Sequence, residues 1–174
     1  MDSPLNTNDA EDKSQFLSNL NVFRQIEFFS GVPIEVVKLF AFLSKRHSYK
    51  AGDVIFHQDN DDENSYYILS GKAKLVVKKE GKEYVINEYN KESYFGVLSL
   101  MTAMPKLFSL VATEDTTCLV MSRNAFSKIV HQFPDLPLKI IGRIGQRVLQ
   151  AEKKCLAELE LNDNVKFFLG ISLI

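Results

Sequence analysis

Apolar residues recur at two different periods along this chain, and the switches between them divide it into three stretches. Phe16, Leu17, Leu20 and Phe23 fall at helical spacing, so a helix is expected from Phe16. Ser30-Gly31-Val32 announces a second helix, with Pro33 suited to its first turn and Glu35 to its positive dipole end; it should run to about Leu43. From Tyr49 to Ser122 the period falls to two, and turn residues arrive at roughly the eight-to-twelve-residue spacing of an antiparallel sandwich or barrel. Strands are expected at His47 to Lys50, Val54 to His57, Tyr66 to Leu69, Ala73 to Lys79, Glu83 to Tyr89, Leu107 to Thr113 and Cys118 to Met121. Between them lie the turns Ala51-Gly52-Asp53, Gln58 to Asn64, Ser70-Gly71-Lys72, Glu80-Gly81-Lys82 and Glu114-Asp115-Thr116. About eight short strands of this kind suggest a jelly roll.

After Met121 the helical period returns. Ser122 is placed to cap a helix through His131, Pro134-Asp135 breaks it, and a long helix is expected from about Asp135 to Glu160. On that helix Ile141, Ile144, Val148, Ala151 and Cys155 step by three, four, three and four, the spacing of a heptad seam. Two readings fit: an amphipathic helix lying on its own domain, and a parallel homodimer formed through residues 138 to 158. The second is adopted as the expectation. The fold class expected is α+β: an antiparallel β-roll (double-stranded β-helix or jelly roll) flanked by N-terminal helices and a long C-terminal helix. Residues 1–12, polar and acidic, read as a disordered arm, 13–134 as the roll with its flanking helices, and 135–160 as the long helix. Residues 161–174 read as the start of a downstream domain that is missing or lost.

Composition narrows the function classes. The chain has 174 residues, 45% of them hydrophobic and 25% charged, enough for one domain with a real core. A formal net charge of −1 supplies no global basic field, so any anion site must be local. Lys139, Arg143 and Arg147 do share one helix face, but a solvated face beside the seam is preferred to a DNA footprint, and nucleic acid is not expected as a partner. Cys118 and Cys155 sit in apolar-patterned segments far from any CxxC spacing and read as buried thiols in a reducing cytosol. The N-terminus lacks the basic start and apolar block of a signal peptide, and no run of about 18 apolar residues occurs, so a soluble, cytoplasmic protein is expected.

Catalysis and metal binding find little support. His47, His57 and His131 fall on different elements without an HExxH spacing, and no GxSxG elbow occurs. The loop Asp59-Asn60-Asp61-Asp62-Glu63 carries four acids in five residues and reads as a solvated turn, because a calcium loop needs a longer, regularly spaced ligand set. Neither a resident cofactor nor a metal is expected.

Three stretches in order, Lys50-Ala51-Gly52-Asp53-Val54-Ile55-Phe56, Tyr66-Tyr67-Ile68-Leu69-Ser70-Gly71-Lys72 and Tyr94-Phe95-Gly96, resemble successive signatures of the cyclic-nucleotide-binding domain family. The catabolite activator protein and the regulatory subunit of protein kinase A belong to it, and the resemblance covers about residues 20 to 160. In that family the phosphate-binding cassette reads Phe-Gly-Glu, a short apolar helix, then Pro-Arg and small residues. Its glycine lets the backbone approach the ligand, helix-start amides meet the cyclic phosphate, the carboxylate accepts from the ribose hydroxyl, and the arginine forks onto phosphate oxygens.

The corresponding ligand-binding residues here are Phe95, Gly96, Val97, Leu98, Ser99, Pro105, Lys106, Leu107 and Phe108. Phe95 and Gly96 match, and Leu98, Leu100 and Pro105 keep the apolar frame. Val97 stands in the carboxylate's place, Lys106 in the arginine's, and Leu107-Phe108 replace the small pair. Valine accepts no hydrogen bond, which forfeits roughly ten- to a hundredfold in affinity. Lysine keeps the charge without the bidentate fork, and a pocket-facing Phe108 would fill volume that the phosphate needs. Asp59 and Glu92 occupy turn positions that are commonly glycine in the family.

The resemblance thus implies a noncatalytic regulatory or signalling module with weak or absent binding of cyclic AMP and cyclic GMP. The alternatives are a working sensor of a cyclic nucleotide or other small anionic ligand, held by Lys106 and the amides after Gly96, and an interaction subunit with a filled pocket. A transcription-regulator relative is a variant of the first. Leu161 to Leu169 resembles the helix that follows the dimer helix in such regulators, but the 14 residues from Leu161 are too few for a helix-turn-helix.

Overall fold

Strands β3 (Asn64–Ser70) and β8 (Thr116–Ser122) lie side by side at the middle of the molecule and are buried on both faces. The computed structural model, which describes residues 7–157, places them in a four-stranded antiparallel sheet of order β1-β8-β3-β6, with β1 (Lys45–Tyr49) and β6 (Tyr94–Phe95) at its edges. A second antiparallel sheet has the order β2-β7-β4-β5, built from β2 (Val54–Phe56), β7 (Ser109–Ala112), β4 (Lys72–Lys79) and β5 (Lys82–Asn90). Tyr66, Ile68, Cys118 and Val120 point into the roll, where they meet Ile55, Phe56, Ala73, Leu75, Leu110 and Ala112. The alternate residues Tyr67, Leu119 and Met121 point outward onto the helices. Burial on both faces explains why these two strands read as continuous apolar runs.

The helical layer consists of α1 (Thr7–Gln25), a single 3-10 turn at Glu27–Phe29, α2 (Ile34–Leu43), α3 (Arg123–Gln132) and α4 (Leu136–Ala157). Its core is aromatic: Phe23, Phe29, Phe40 and Phe126 pack in a chain of ring contacts, with Phe40 stacked on Phe126 at 5.8 Å. Burying rings of this size supplies much of the free energy that docks the helices on the sheet.

Several boundaries differ from those expected. Helix α1 begins at Thr7, ahead of Phe16, so residues 7–12 of the expected arm are helical; residues 1–6 lie outside the described residues. Glu11 and Asp12 lie in its second turn and are exposed, so this part of the helix continues without an apolar face. Pro33 is the residue before α2, its carbonyl accepting from Val36 and Val37 N–H, rather than part of its first turn. The two-residue strand β6 fell inside the cassette motif and was not expected. Leu107 and Phe108 precede β7 instead of opening it. Ser122 caps α3 as expected, its hydroxyl accepting from Ala125 N–H. The residues expected at the end of the long helix, 158–160, and the segment 161–174 lie outside the described residues.

Candidate functional site

The cassette starts where β6 leaves the sheet. Phe95 pairs with Tyr66 and Tyr94 with Tyr67, and the chain then turns at Gly96 with φ of +77°. A side chain there would be strained and would also press on Asn64 O at 2.6 Å and Lys106 Nζ at 2.9 Å, so only glycine fits. A single 3-10 turn, Leu98–Leu100, follows.

Lys106 has turned inward and is 6% exposed. Its ammonium donates to Asn64 O at 2.8 Å and Ser99 Oγ at 2.7 Å, and meets Asp62 Oδ1 at 3.0 Å. Those three directions use all the donors an ammonium has. Phe56 and Tyr66 also bring their ring faces to 5.3 and 5.9 Å from Nζ, which favours a cation there. The backbone fixes the residue as firmly: Lys106 N–H donates to Asn60 O, and Asp59 N–H donates to Lys106 O.

The acidic loop is therefore not the solvated turn expected from its composition. Asp62 takes Lys106 on one oxygen and the Tyr66 hydroxyl, at 2.7 Å, on the other. Asp61 and Glu63 are held by the guanidinium of Arg123, which also donates through Nε to Ser99 O at 2.6 Å. The hydrogen bond from Arg123 holds the Asp61 carboxyl below the usual carboxylate range, and the same bond raises the guanidinium. Burial, followed by the hydrogen bond to Asp62, pushes the Tyr66 hydroxyl up. Lys106 and Arg123 thus tie the loop to both ends of the Ser99 residue, its hydroxyl and its carbonyl.

Of the residues picked out from sequence, Phe95, Gly96, Ser99 and Lys106 come together here. Val97 does not turn toward them: it packs on the helical layer and lines a cavity of about 310 Å³ with Phe28, Tyr94, Leu98, Ile144 and Val148. Leu107 is 72% exposed and Pro105 is also exposed, so neither fills the site. Phe108 packs half-buried against the roll interior, its ring 6.1 Å from Phe56. Asp62, Asn64, Tyr66 and Arg123 were missed. Arg123 left a trace in the sequence, since a cation at the first position of a capped helix opposes the helix dipole and so needs acids elsewhere.

The expected seam is also divided. Leu136 and Ile140 are buried against the helical layer and Ile144 packs on it, while Val148 and Ala151 join Ile144 in the cavity lining. Ile141 points away and is 53% exposed; nothing is described of the Cys155 side chain. Arg143, expected on a solvated face, donates to Ser30 O and so fastens α4 to the turn before α2. Among the described residues no cluster of His, Cys, Asp or Glu is placed to hold a metal ion, and no helix is long and apolar enough to cross a membrane.

Comparison with known proteins agrees with this architecture. Residues 46–133 match the model of the cyclic nucleotide-binding domain. A lysophospholipase nte1 of Aspergillus terreus is 28% identical over 109 residues, which is 62% of this chain and 7% of that protein. The curated relatives it matches are far longer, and the chain spans only 6 to 8% of their length. Among solved structures, the catabolite activator protein of Thermus thermophilus superposes with a TM-score of 0.61 at 26% identity, over 74% of this chain and 61% of that one. The regulatory subunit of a cAMP-independent protein kinase A from Trypanosoma brucei gives 0.60 at 20% identity, over 78% and 49%. The fold and the matched residues define a regulatory, ligand-sensing class of β-roll. This chain belongs to the cyclic nucleotide-binding domain family.

Proposed function

We propose that this chain is a noncatalytic regulatory module whose roll does not take cyclic AMP or cyclic GMP in the family's manner. The observation that carries the reading is the Lys106 ammonium, whose donors are all spent on Asn64, Ser99 and Asp62. A phosphate entering beside Gly96 would have to displace Asp62, and until it did so it would meet a like charge 3.0 Å from the lysine. The ribose contact fails for a separate reason. Val97 has no acceptor and faces the helices. The Trypanosoma protein of the same fold is described as part of a cAMP-independent kinase, which is consistent with a family roll working without that ligand.

Coupling to α4 is the second element of the reading. Val97 and Leu98 share one cavity with Ile144, Val148 and Ala151, so a change in the cassette is felt directly by α4. The face of α4 turned from the body carries Leu138, Ile141, Leu149 and Leu156, and this exposed stripe replaces the expected seam as the homodimer surface. Titration calorimetry with cyclic AMP and cyclic GMP, carried to millimolar concentration, tests the first element. Flat traces are expected; saturable heat from either nucleotide would overturn it.

A further inference from the structure

The cavity between the cassette and α4, about 310 Å³, falls at the low end of the volumes that hold small ligands. Its walls are Phe28, Tyr94, Val97, Leu98, Ile144 and Val148. Tyr94 reaches it from β6 on the side of the helical layer, while the neighbouring Phe95 packs into the roll, so the cavity lies outside the roll. Apolar walls alone admit any apolar body. The rim selects a charge. Arg143 and Arg147 stand one turn apart on α4 and both line the cavity. Arg143 spends three N–H groups on Ser30 and Gln146 and keeps two, whereas Arg147 has no hydrogen-bonding or charged partner among the described residues. Like charges at this spacing repel each other, and an anion between them removes the repulsion. Glu27 is the one acid in the lining, so two guanidinium charges against one carboxylate leave the rim positive. Glu92 lies beyond Arg147 in an adjoining hollow and lines no part of the cavity itself.

We propose that this cavity binds a single-chain amphipathic carboxylate, a fatty acid of medium length, with its chain between Val97 and Val148 and its carboxylate on Arg147 and the uncommitted side of Arg143. A guanidinium meets a carboxylate through two parallel hydrogen bonds, and the chain gains by leaving water. The volume suits one such chain and is too small for a whole two-chain lipid. Held there, the ligand touches the cassette turn at Leu98 and α4 at Ile144 together. As a regulatory ligand it rests on the coupling between cassette and α4 proposed above; its binding is measured independently of that coupling and of what the roll takes.

Isothermal titration of the full chain with octanoate and decanoate, below the concentrations at which they form micelles, tests this, with 1-octanol as the uncharged probe. Saturable heat is expected for both acids, about tenfold tighter for decanoate because two more methylenes leave water. The alcohol should bind about tenfold or more weakly than octanoate, since it forfeits the charged hydrogen bonds. Arg147→Gln should weaken both acids about tenfold and leave the alcohol unchanged. Arg147 is exposed and unpartnered, so this variant should melt with the wild type, which separates lost binding from lost folding. Ala151→Phe, at an exposed position on the rim, narrows the cavity and should weaken acids and alcohol alike. A bound acid that leaves α4 association unchanged would support the site and overturn only the coupling. Flat traces for both acids, an alcohol that binds as tightly as octanoate, or acid binding unchanged in Arg147→Gln would overturn the site.

Discussion

Lys106 Nζ and Asp62 Oδ1 stand 3.0 Å apart with 5% and 15% of their side chains exposed, so the cation that replaces the family's arginine already holds an anion of its own chain. Removing one member of such a pair strands the other in a poorly solvated site. Lys106→Met is expected to lower the unfolding free energy by about 3 kcal/mol in urea denaturation. Asp62→Asn should cost less, because an amide oxygen can still accept from Lys106 and Tyr66. The double variant should be more stable than the sum of the singles predicts, since no orphan charge remains. A Lys106→Met protein as stable as the wild type would mean that the pair contributes nothing and that the lysine is free for another partner.

Four acidic residues, Asp59, Glu63, Glu80 and Glu92, have positive φ, at 64°, 58°, 53° and 73°. Glu80 and Gly81 form the two-residue turn between β4 and β5, where both central residues must be left-handed. Glu92 makes no such paired turn; its N–H donates to Ile68 O and its side chain is exposed. A β-carbon costs about 1 kcal/mol in that conformation, so Glu92→Gly should raise the melting temperature by about 2–4 °C. Asp59→Gly should gain less, because aspartate tolerates the left-handed region better than glutamate. A fall in melting temperature for Glu92→Gly would show that the glutamate side chain contributes more than its backbone strain costs.

The roll was legible because its strands alternate and its turns carry glycine at residues 52, 71 and 81. The Ser122 cap was legible for a similar reason: it is a local interaction between neighbours in the chain. What escaped was contact between segments far apart in sequence. Nothing local to Asp61, Asp62 or Glu63 indicates that their partners are Lys106 and Arg123, more than forty residues away, so composition alone suggested water around them. Val97 could be matched to the motif, but the sequence does not say which way the turn after Gly96 presents its first side chain, and the structure packs it on the helical layer. The α4 seam shows the same limit. Heptad spacing finds an apolar helix, and only the packed body reveals that Ile144 lies on it while Ile141 does not.

Alkaline stability follows from four groups, Cys118 and Tyr66 buried and Tyr49 and Tyr94 half-buried. Burial pushes the Cys118 thiol and the Tyr49 hydroxyl each up to about 12, and pushes Tyr66 and Tyr94 up as well. Each holds its proton more tightly when folded, so above the ordinary values the unfolded chain binds fewer protons and stability falls as pH rises. For Cys118, fully buried, the loss runs at about 1.4 kcal/mol per pH unit from about pH 9 toward the folded value. Asp61 acts oppositely: its carboxyl is lowered, so its contribution is present above the ordinary carboxylate value and drains away as pH falls below it. In an alkaline titration the ultraviolet signal of tyrosinate from these tyrosines should appear together with the loss of circular dichroism. Ionisation of all the tyrosines well before unfolding would show that the hydroxyls are not buried as described.

Helix α4 faces two ways, and two variants one turn apart separate its duties. Ile144 packs on the helical layer and lines the cavity with Val97, whereas Ile141 is 53% exposed beside Leu138. Ile144→Asp places a charge against the body and is expected to lower the melting temperature, with a cost of about 2 kcal/mol or more. Ile141→Asp leaves the body untouched, so its melting temperature, measured at a concentration where the protein is monomeric, should stay within about 0.5 kcal/mol equivalent of the wild type. If α4 forms the homodimer through its exposed stripe, Ile141→Asp also abolishes that association in sedimentation, because two carboxylates would meet inside an apolar contact. Retained association in Ile141→Asp together with loss in Ile144→Asp would exclude the exposed stripe and move the interface to the Ile144 and Val148 part of the seam expected from sequence. That outcome would require α4 to leave the body when it dimerises.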